Sequence, residues 1–328
     1  QEVWCSCIYQ SFNLFLSKYC TKKITKPVVP PTSTPGPEPD NKVNVADYDN
    51  IADALDAVPE NGTVVFSTDS TVNEELAITK PVTVDGNGAS FNKTITVSNA
   101  EVTIKNAKLI ATARSNKTVT PAIKITGSKP FTLTDCQVSG TTRNAVNIST
   151  SGKVIVSDNT FEAGDNSIYN AIEFSISNAP DITDITIENN TFNGTLGNNG
   201  ISFYNIADNA HITIKNNTFN DISVNNNPIR LSNAKNNSAV FDIVDNTYNF
   251  TSEEPSADGY TGFMLLQDYS KTNQKQDFTK FTINFKNLKR GSKKLLEKGS
   301  GIDNVYYVYS DKEGILADGV NDPVVTFE

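Results

Sequence analysis

Short segments with the same order of apolar and polar positions recur along most of this chain. Their first and third positions are apolar and the second is usually threonine, so each segment alternates with a period of two. This alternation is typical of a β-strand with one buried face. Seven copies of eight residues are Val102–Leu109, Phe131–Val138, Val154–Phe161, Ile185–Phe192, Ile212–Phe219, Phe241–Tyr248 and Phe281–Leu288, and Val82–Val84 is a partial further copy.

The fifth position of these segments predicts a corner in the chain. It is Asn or Asp in six copies, and these residues tolerate a left-handed backbone and can hydrogen-bond within their own turn. The eighth position is apolar again, which indicates that the chain returns to the core after the corner. The six corner residues are Asn106, Asp135, Asp158, Asn189, Asn216 and Asp245.

A second, weaker series of apolar segments alternates with the first. Its members follow one another at steps of 23 to 34 residues, which is room for at least two strands and their turns, the size of one coil of a parallel β-helix. An antiparallel sandwich would also alternate, but it does not need the same corner chemistry at every step. We therefore predict an all-β fold, a single-stranded parallel β-helix of about eight coils. The members are Ala122–Ile125, Ala145–Ile148, Ala171–Phe174, Gly200–Phe203, Pro228–Leu231 and Gly262–Leu265.

The segment Glu75–Gly88 (ELAITKPVTVDGNG) and the repeats of the ITIENNTF type resemble the pectin-lyase-like superfamily. The resemblance covers about residues 63–290 and implies a right-handed β-helix. It also implies polysaccharides as ligands or substrates. Lyases of this superfamily use calcium-binding carboxylates with an Arg or Lys base, and its polygalacturonase-like hydrolases carry Asn-Thr-Asp, Asp-Asp, Gly-His-Gly and Arg-x-Lys motifs.

No catalytic residue, cofactor or metal site is predicted. The hydrolase motifs are absent, and the single histidine, His211, opens a strand without flanking glycines, as a surface residue at a strand end would. Asp135 and Asp158 stack in successive coils, at about 5 Å, a separation that suits a pair of catalytic carboxylates. Other coils fill the same column with Asn, so we interpret both as turn residues.

A polar strip is predicted on the outer face of the second series of segments. Glu173 lies between Asn147 and Ser202 in the stacking order, and Arg230 follows one coil later. Such a strip suits the hydroxyl groups of a sugar or the surface of a partner protein. A solvated sheet face is the alternative interpretation.

Composition changes sharply before and after the repeats. Six prolines in Lys26–Asp40 favour an extended spacer, so we predict an attachment peptide at residues 1–25 and a proline-rich linker at 26–44. Val45–Val58 carries apolar residues at helical spacing and is predicted to cap a β-helix that spans 45–290. Residues 291–328, with strand patterns at Val305–Tyr309 and Val324–Phe327, form a predicted C-terminal cap or small β module.

The predicted attachment peptide combines apolar side chains with cysteines, which suits docking onto a partner protein. Its predicted contact residues are Trp4, Cys5, Cys7, Phe12, Phe15 and Leu16.

The net negative charge of the chain argues against one class of binding partner. The 328 residues carry a formal net charge of −9, which argues against sequence-independent binding of nucleic acid. The one basic cluster, at residues 286–294, is interpreted as a solvated loop. No run of 18 apolar residues occurs, so no membrane span is predicted.

The order of attachment peptide, proline spacer, capped β-helix and small terminal module resembles the layout of tailed-phage head fibres and capsid decoration proteins. This layout implies a non-enzymatic virion surface fibre that binds host or environmental glycans. Residues 1–25 would contact a capsid or other particle protein, and a homotrimer is the implied assembly. Two alternatives stay open: a polysaccharide-degrading, tailspike-like lyase or hydrolase, and an extracellular adhesin on a bacterial or archaeal cell surface.

Overall fold

A computed structural model of the chain divides into one unit at Gln1–Asp40 and a second at Asn41–Glu328. The first unit lies outside the described residues, and with it the attachment peptide at 1–25 and its predicted contact residues. The structure describes residues 41–111, 120–140, 144–150, 152–163, 170–175, 184–194, 199–204, 206–220, 227–232, 238–249, 262–268, 277–299, 303–310, 313–316 and 320–328.

The second unit is built from three sheets, which we name A, B and C, with strands numbered along the chain. Sheet A has the spatial order β1 (Lys42–Asn44), β2 (Gly62–Val65), β5 (Val82–Asp85), β8 (Val102–Lys105), β11 (Phe131–Thr134), β14 (Val154–Ser157), β17 (Asp184–Glu188), β20 (Ala210–Lys215), β23 (Ala239–Val244), β26 (Phe281–Lys286) and β31 (Val324–Phe327). Sheet B has the order β3 (Thr71–Val72), β6 (Ser90–Phe91), β9 (Lys108–Ala111), β12 (Gln137–Gly140), β15 (Thr160–Ala163), β18 (Thr191–Asn193), β21 (Thr218–Asn220), β24 (Thr247–Asn249), β27 (Lys289–Arg290) and β28 (Lys293–Lys294). Sheet C has the order β4 (Leu76–Ile78), β7 (Ile95–Ser98), β10 (Ile123–Gly127), β13 (Asn144–Thr150), β16 (Asn170–Phe174), β19 (Asn199–Phe203), β22 (Ile229–Leu231), β25 (Met264–Asp268), β29 (Tyr306–Ser310) and β30 (Gly314–Ile315).

The chain passes through sheets A, B and C in turn and then returns to sheet A, where the new strand pairs in parallel with the previous one. This confirms the predicted right-handed parallel β-helix. Apart from the short strands β28 and β30, the described strands make nine coils of three, with β1 before them and β31 after them. The sequence pattern predicted about eight coils. It identified two of the three strands of each coil, those of sheets A and C. It did not identify sheet B as strands, although the apolar eighth position of the repeats is the inward residue of its strands, as at Leu109 in β9 and Phe192 in β18.

The inward side chains of all three sheets form one continuous apolar core. Side chains at the same position of successive coils lie directly on one another, because the strands pair in register. The Phe161 and Phe192 rings stack with centroids 4.8 Å apart, and Phe192 and Phe219 stack at 4.7 Å. These separations match the distance between paired strands, so each aromatic ring fills one coil of the core.

The backbone conformation confirms the predicted corner column, which is the stack of six Asn and Asp residues at the fifth repeat position. All six residues have positive φ, from 53° at Asn106 and Asp135 to 59° at Asp158. Asp135 and Asp158 are therefore turn residues, as interpreted from the sequence. Asn287, with φ of 50°, occupies the same column.

The last member of each repeat series was aligned wrongly. In sheet A, Ile283 pairs with Phe241, so the last repeat begins at Ile283 and not at Phe281. In sheet C, Met264 pairs with Ile229, so the last member begins at Phe263 and not at Gly262. The sheet A segment has apolar residues at every second position from Phe281 to Phe285, and the sheet C segment has them at successive positions from Phe263 to Leu266. Periodicity alone cannot choose between the registers that each segment offers.

A short helix closes the N-terminal end of the β-helix. Helix α1 spans Ile51–Ala57, and a single 3-10 turn at Val45–Asp47 precedes it, so the helix is shorter than predicted. The Asn50 side chain caps it by accepting a hydrogen bond from the Asp53 N–H at 2.9 Å. Lys80 Nζ donates to the carbonyls of Asp56 and Val58 at the other end.

The C-terminal strands continue the solenoid. β29 pairs in parallel with β25, and β31 pairs in parallel with β26, while β28 and β30 add short antiparallel pairs at the end.

The basic cluster was interpreted wrongly as a loop, because Lys289–Arg290 and Lys293–Lys294 are strands. Asp303 binds both Arg290, at 2.7 Å, and Lys293, at 2.6 Å.

Candidate functional site on the outer face of sheet C

The structure brings the four predicted binding residues together in one column on the outer face of sheet C. Asn147 in β13 pairs with Glu173 in β16, Glu173 pairs with Ser202 in β19, and Ser202 pairs with Arg230 in β22. Paired strands lie about 4.8 Å apart, so the column is about 15 Å long. The stacking order expected from the sequence is therefore present in the fold.

The two ends of this column differ in exposure. Asn147 and Glu173 are half-buried, whereas Ser202 is 1% and Arg230 is 6% exposed. Arginine is seldom buried to this degree, because desolvating a guanidinium is costly unless polar groups surround it. The column therefore passes from a solvent-accessible part into an enclosed part, and a ligand from solvent can reach Asn147 and Glu173 first.

A row of buried asparagines supports the site at the start of the sheet C strands. Asn170 Nδ2 donates to Asn144 Oδ1 at 3.0 Å, and Asn199 Nδ2 donates to Asn170 Oδ1 at 3.1 Å. Asn170 Nδ2 also donates to Glu173 Oε2 at 2.8 Å. Because Asn170 is fully buried and hydrogen-bonded on both sides, it fixes the direction of the Glu173 carboxylate.

Asn227 continues this row towards the C-terminal end. Its Nδ2 donates to the Gly262 carbonyl at 2.7 Å, and the Tyr307 hydroxyl donates to its Oδ1 at 3.1 Å. A Cβ on Gly262 would lie 3.1 Å from the Tyr307 ring, so a larger residue there would require the ring to shift by a few tenths of an ångström. This asparagine row was not predicted from the sequence, although each member lies two residues before an inward Ile or Val.

One exposed aromatic side chain lies beside the column. Tyr204 directly follows β19 and is two residues beyond Ser202, so strand periodicity places it on the same outer face. Its side chain is 43% exposed, and its N–H donates to the Phe174 carbonyl at 2.9 Å. Tyr204 was not predicted from the sequence, although its spacing of two residues from Ser202 is a signal for the same outer face.

A second polar cluster lies on the outer face of sheet A. His211 Nε2 lies 2.7 Å from Asp242 Oδ2, Asn284 donates to Asp242 at 2.8 Å, and Thr326 donates to Asn284 at 2.8 Å. Partial burial alone would raise the pKa of Asp242, but the hydrogen bonds from Asn284 and His211 outweigh it and lower the pKa below its ordinary value. The cluster links four consecutive strands of sheet A.

Cys136 is the one cysteine among the described residues, and it is buried. Burial raises its thiol pKa to about 12, so the thiol is protonated at neutral pH and is not poised for nucleophilic chemistry.

In the described ranges, no group of three or more His, Cys, Asp or Glu side chains is arranged to hold a metal ion. The described part of the chain also contains no helix of the length and apolarity needed to cross a bilayer.

Comparisons of the chain with protein-family models, with curated proteins and with solved structures found no match. The assignment as a parallel β-helix therefore rests on the strand pairing itself.

Proposed function

We propose that the protein is a non-enzymatic binding protein whose β-helix presents the outer face of sheet C to glycans. The observation that carries this proposal is the exposed Tyr204 ring beside a column of hydrogen-bonding side chains, Asn147 and Glu173 among them. An aromatic ring can pack against the C–H face of a sugar, while amide and carboxylate groups bind its hydroxyls.

The rigidity of the scaffold supports this function. Glu173 is held by Asn170, and Asn170 is held by its neighbours in the coils on either side. Because these side chains are ordered before any ligand arrives, binding costs less conformational entropy. Such preorganisation matters for sugars, whose individual contacts are weak.

The test is a glycan array that contains acidic and neutral polysaccharides, with product analysis of every glycan that binds. We expect binding without a change in chain length. Chain shortening that disappears in Glu173→Gln would overturn the proposal in favour of the tailspike-like enzyme. An array on which no glycan binds would also overturn it.

We further propose that the β-helix is carried on a virion, with residues 1–25 as the attachment peptide and a homotrimer as the assembly. The support is the order of segments in the sequence, in which a proline-rich linker separates an apolar, cysteine-containing peptide from the solenoid. Deleting residues 1–25 should abolish incorporation into the particle and leave the glycan binding of the solenoid unchanged. Incorporation of the truncated protein at the wild-type level would contradict the role of residues 1–25 as the attachment peptide.

A further inference from the structure

A groove runs between helix α1 and the first strand of sheet C. Its cavity volume is about 220 Å³, and we name it the cap groove. The apolar side chains of Ile51 and Leu55 are only half-buried there, and Ala52 and Ala77 are exposed. The lining residues are Ile51, Ala52, Leu55, Asp56, Glu74, Glu75, Leu76 and Ala77.

One wall of the cap groove is a strand edge. β4 is the outermost strand of sheet C and pairs only with β7 among the described strands. The Leu76 N–H donates to the Thr94 carbonyl on the β7 side, at 3.2 Å. Because successive residues of a parallel strand bond to opposite sides, the N–H and C=O of Ala77 point away from β7 towards the groove. An edge of this kind can accept a further strand.

The surroundings of the groove are strongly acidic. Residues 41–80 contain eight carboxylates and two lysines, a net charge of −6 within a chain whose total is −9. Three of these carboxylates, Asp56, Glu74 and Glu75, line the groove itself, and all three are exposed. The chemistry that complements this surface is positive charge interleaved with apolar side chains.

We propose that the cap groove binds an extended, lysine- or arginine-rich segment of a partner protein, which adds a strand to β4. The backbone of that segment would bond to Ala77, its cationic side chains would face Glu74, Glu75 and Asp56, and its apolar side chains would pack on Ile51 and Leu55. This is strand addition at a sheet edge, in which backbone bonds give affinity and alternate side chains give specificity. The site is independent of the glycan face on sheet C.

The probe for the test is a seven-residue peptide that alternates lysine with valine and is blocked at both ends. Its binding to the full chain is measured by fluorescence anisotropy. The double variant Glu74→Lys/Glu75→Lys should weaken binding about tenfold or more, because two attractive charges become repulsive. N-methylation of alternate backbone nitrogens in the peptide should weaken binding to a similar degree, because it removes the strand-forming donors.

The matched control is Glu101→Lys/Glu313→Lys, which makes the same change in net charge at two exposed positions away from the groove. It should leave peptide affinity within about twofold of wild type. The proposal is overturned if both double variants weaken binding equally, if the N-methylated peptide binds as well as the unmodified one, or if a glutamate–valine peptide competes equally. Self-association of the protein that disappears in Glu74→Lys/Glu75→Lys would instead assign the groove to a second copy and would also overturn it.

Discussion

Replacing Asn190 by Ala is expected to lower the free energy of unfolding by about 4 kcal/mol. Asn190 is 1% exposed and belongs to a buried row directly after the corner column, with Asn159 before it and Asn217 after it. Its Nδ2 donates to the carbonyls of Val156 and Glu188 and to Asn217 Oδ1, and its Oδ1 accepts from the N–H and Nδ2 of Asn159. Alanine would leave several of these partners buried and unsatisfied.

The measurement is urea unfolding followed by circular dichroism, with Asn189→Gly as the matched control. Asn189 is the neighbouring residue, but it lies in the corner column with φ of 57°, where glycine is readily accommodated. We expect the control to change stability by less than about 1 kcal/mol. Equal effects of the two substitutions would contradict the structural role given to the buried row.

Replacing Phe192 by Ala is expected to cost about 4 kcal/mol, through the cavity left in the aromatic stack. Phe192 is fully buried and stacks on Phe161 at 4.8 Å and on Phe219 at 4.7 Å. Neither neighbour can move into the space without leaving its own coil, because both are fixed by strand pairing. The cavity should therefore stay open.

Thermal and urea unfolding of Phe192→Ala and Phe192→Leu together test this expectation. Leucine keeps most of the volume and should cost about 1–2 kcal/mol. Thr191→Ala, on the outer side of the same strand, should change stability by less than about 1 kcal/mol. A loss below about 1 kcal/mol in Phe192→Ala would show that the stack does not stabilise the coil.

The repeats predicted sheet A and its corner because both depend on local chemistry. Alternation identifies a half-buried strand, and Asn or Asp marks a left-handed corner. The buried row of Asn159, Asn190 and Asn217 was not predicted, because local sequence does not show which asparagine is buried. Asn189 and Asn190 are the same residue type side by side, yet one is a turn residue at the surface and the other is buried between coils. Only the stacking of coils distinguishes them.

The candidate site was predicted in part. Stacking order placed Asn147, Glu173, Ser202 and Arg230 in one column, because equivalent strands of successive coils pair in register. The burial of Arg230 could not be predicted, since it depends on which parts of the chain enclose the outer face. Tyr204 was missed because it lies just beyond the strand segment recognised from its apolar pattern.

The most direct test of the glycan-binding proposal is the affinity of the best array glycan for Tyr204→Ala, measured by titration calorimetry beside wild type. Tyr48→Ala is the matched control, because Tyr48 is 37% exposed, close to the 43% of Tyr204, but lies by the N-terminal cap. We predict that Tyr204→Ala weakens binding about tenfold or more and that Tyr48→Ala leaves it unchanged. Wild-type affinity in Tyr204→Ala, or an equal loss in both variants, would contradict glycan binding at the outer face of sheet C.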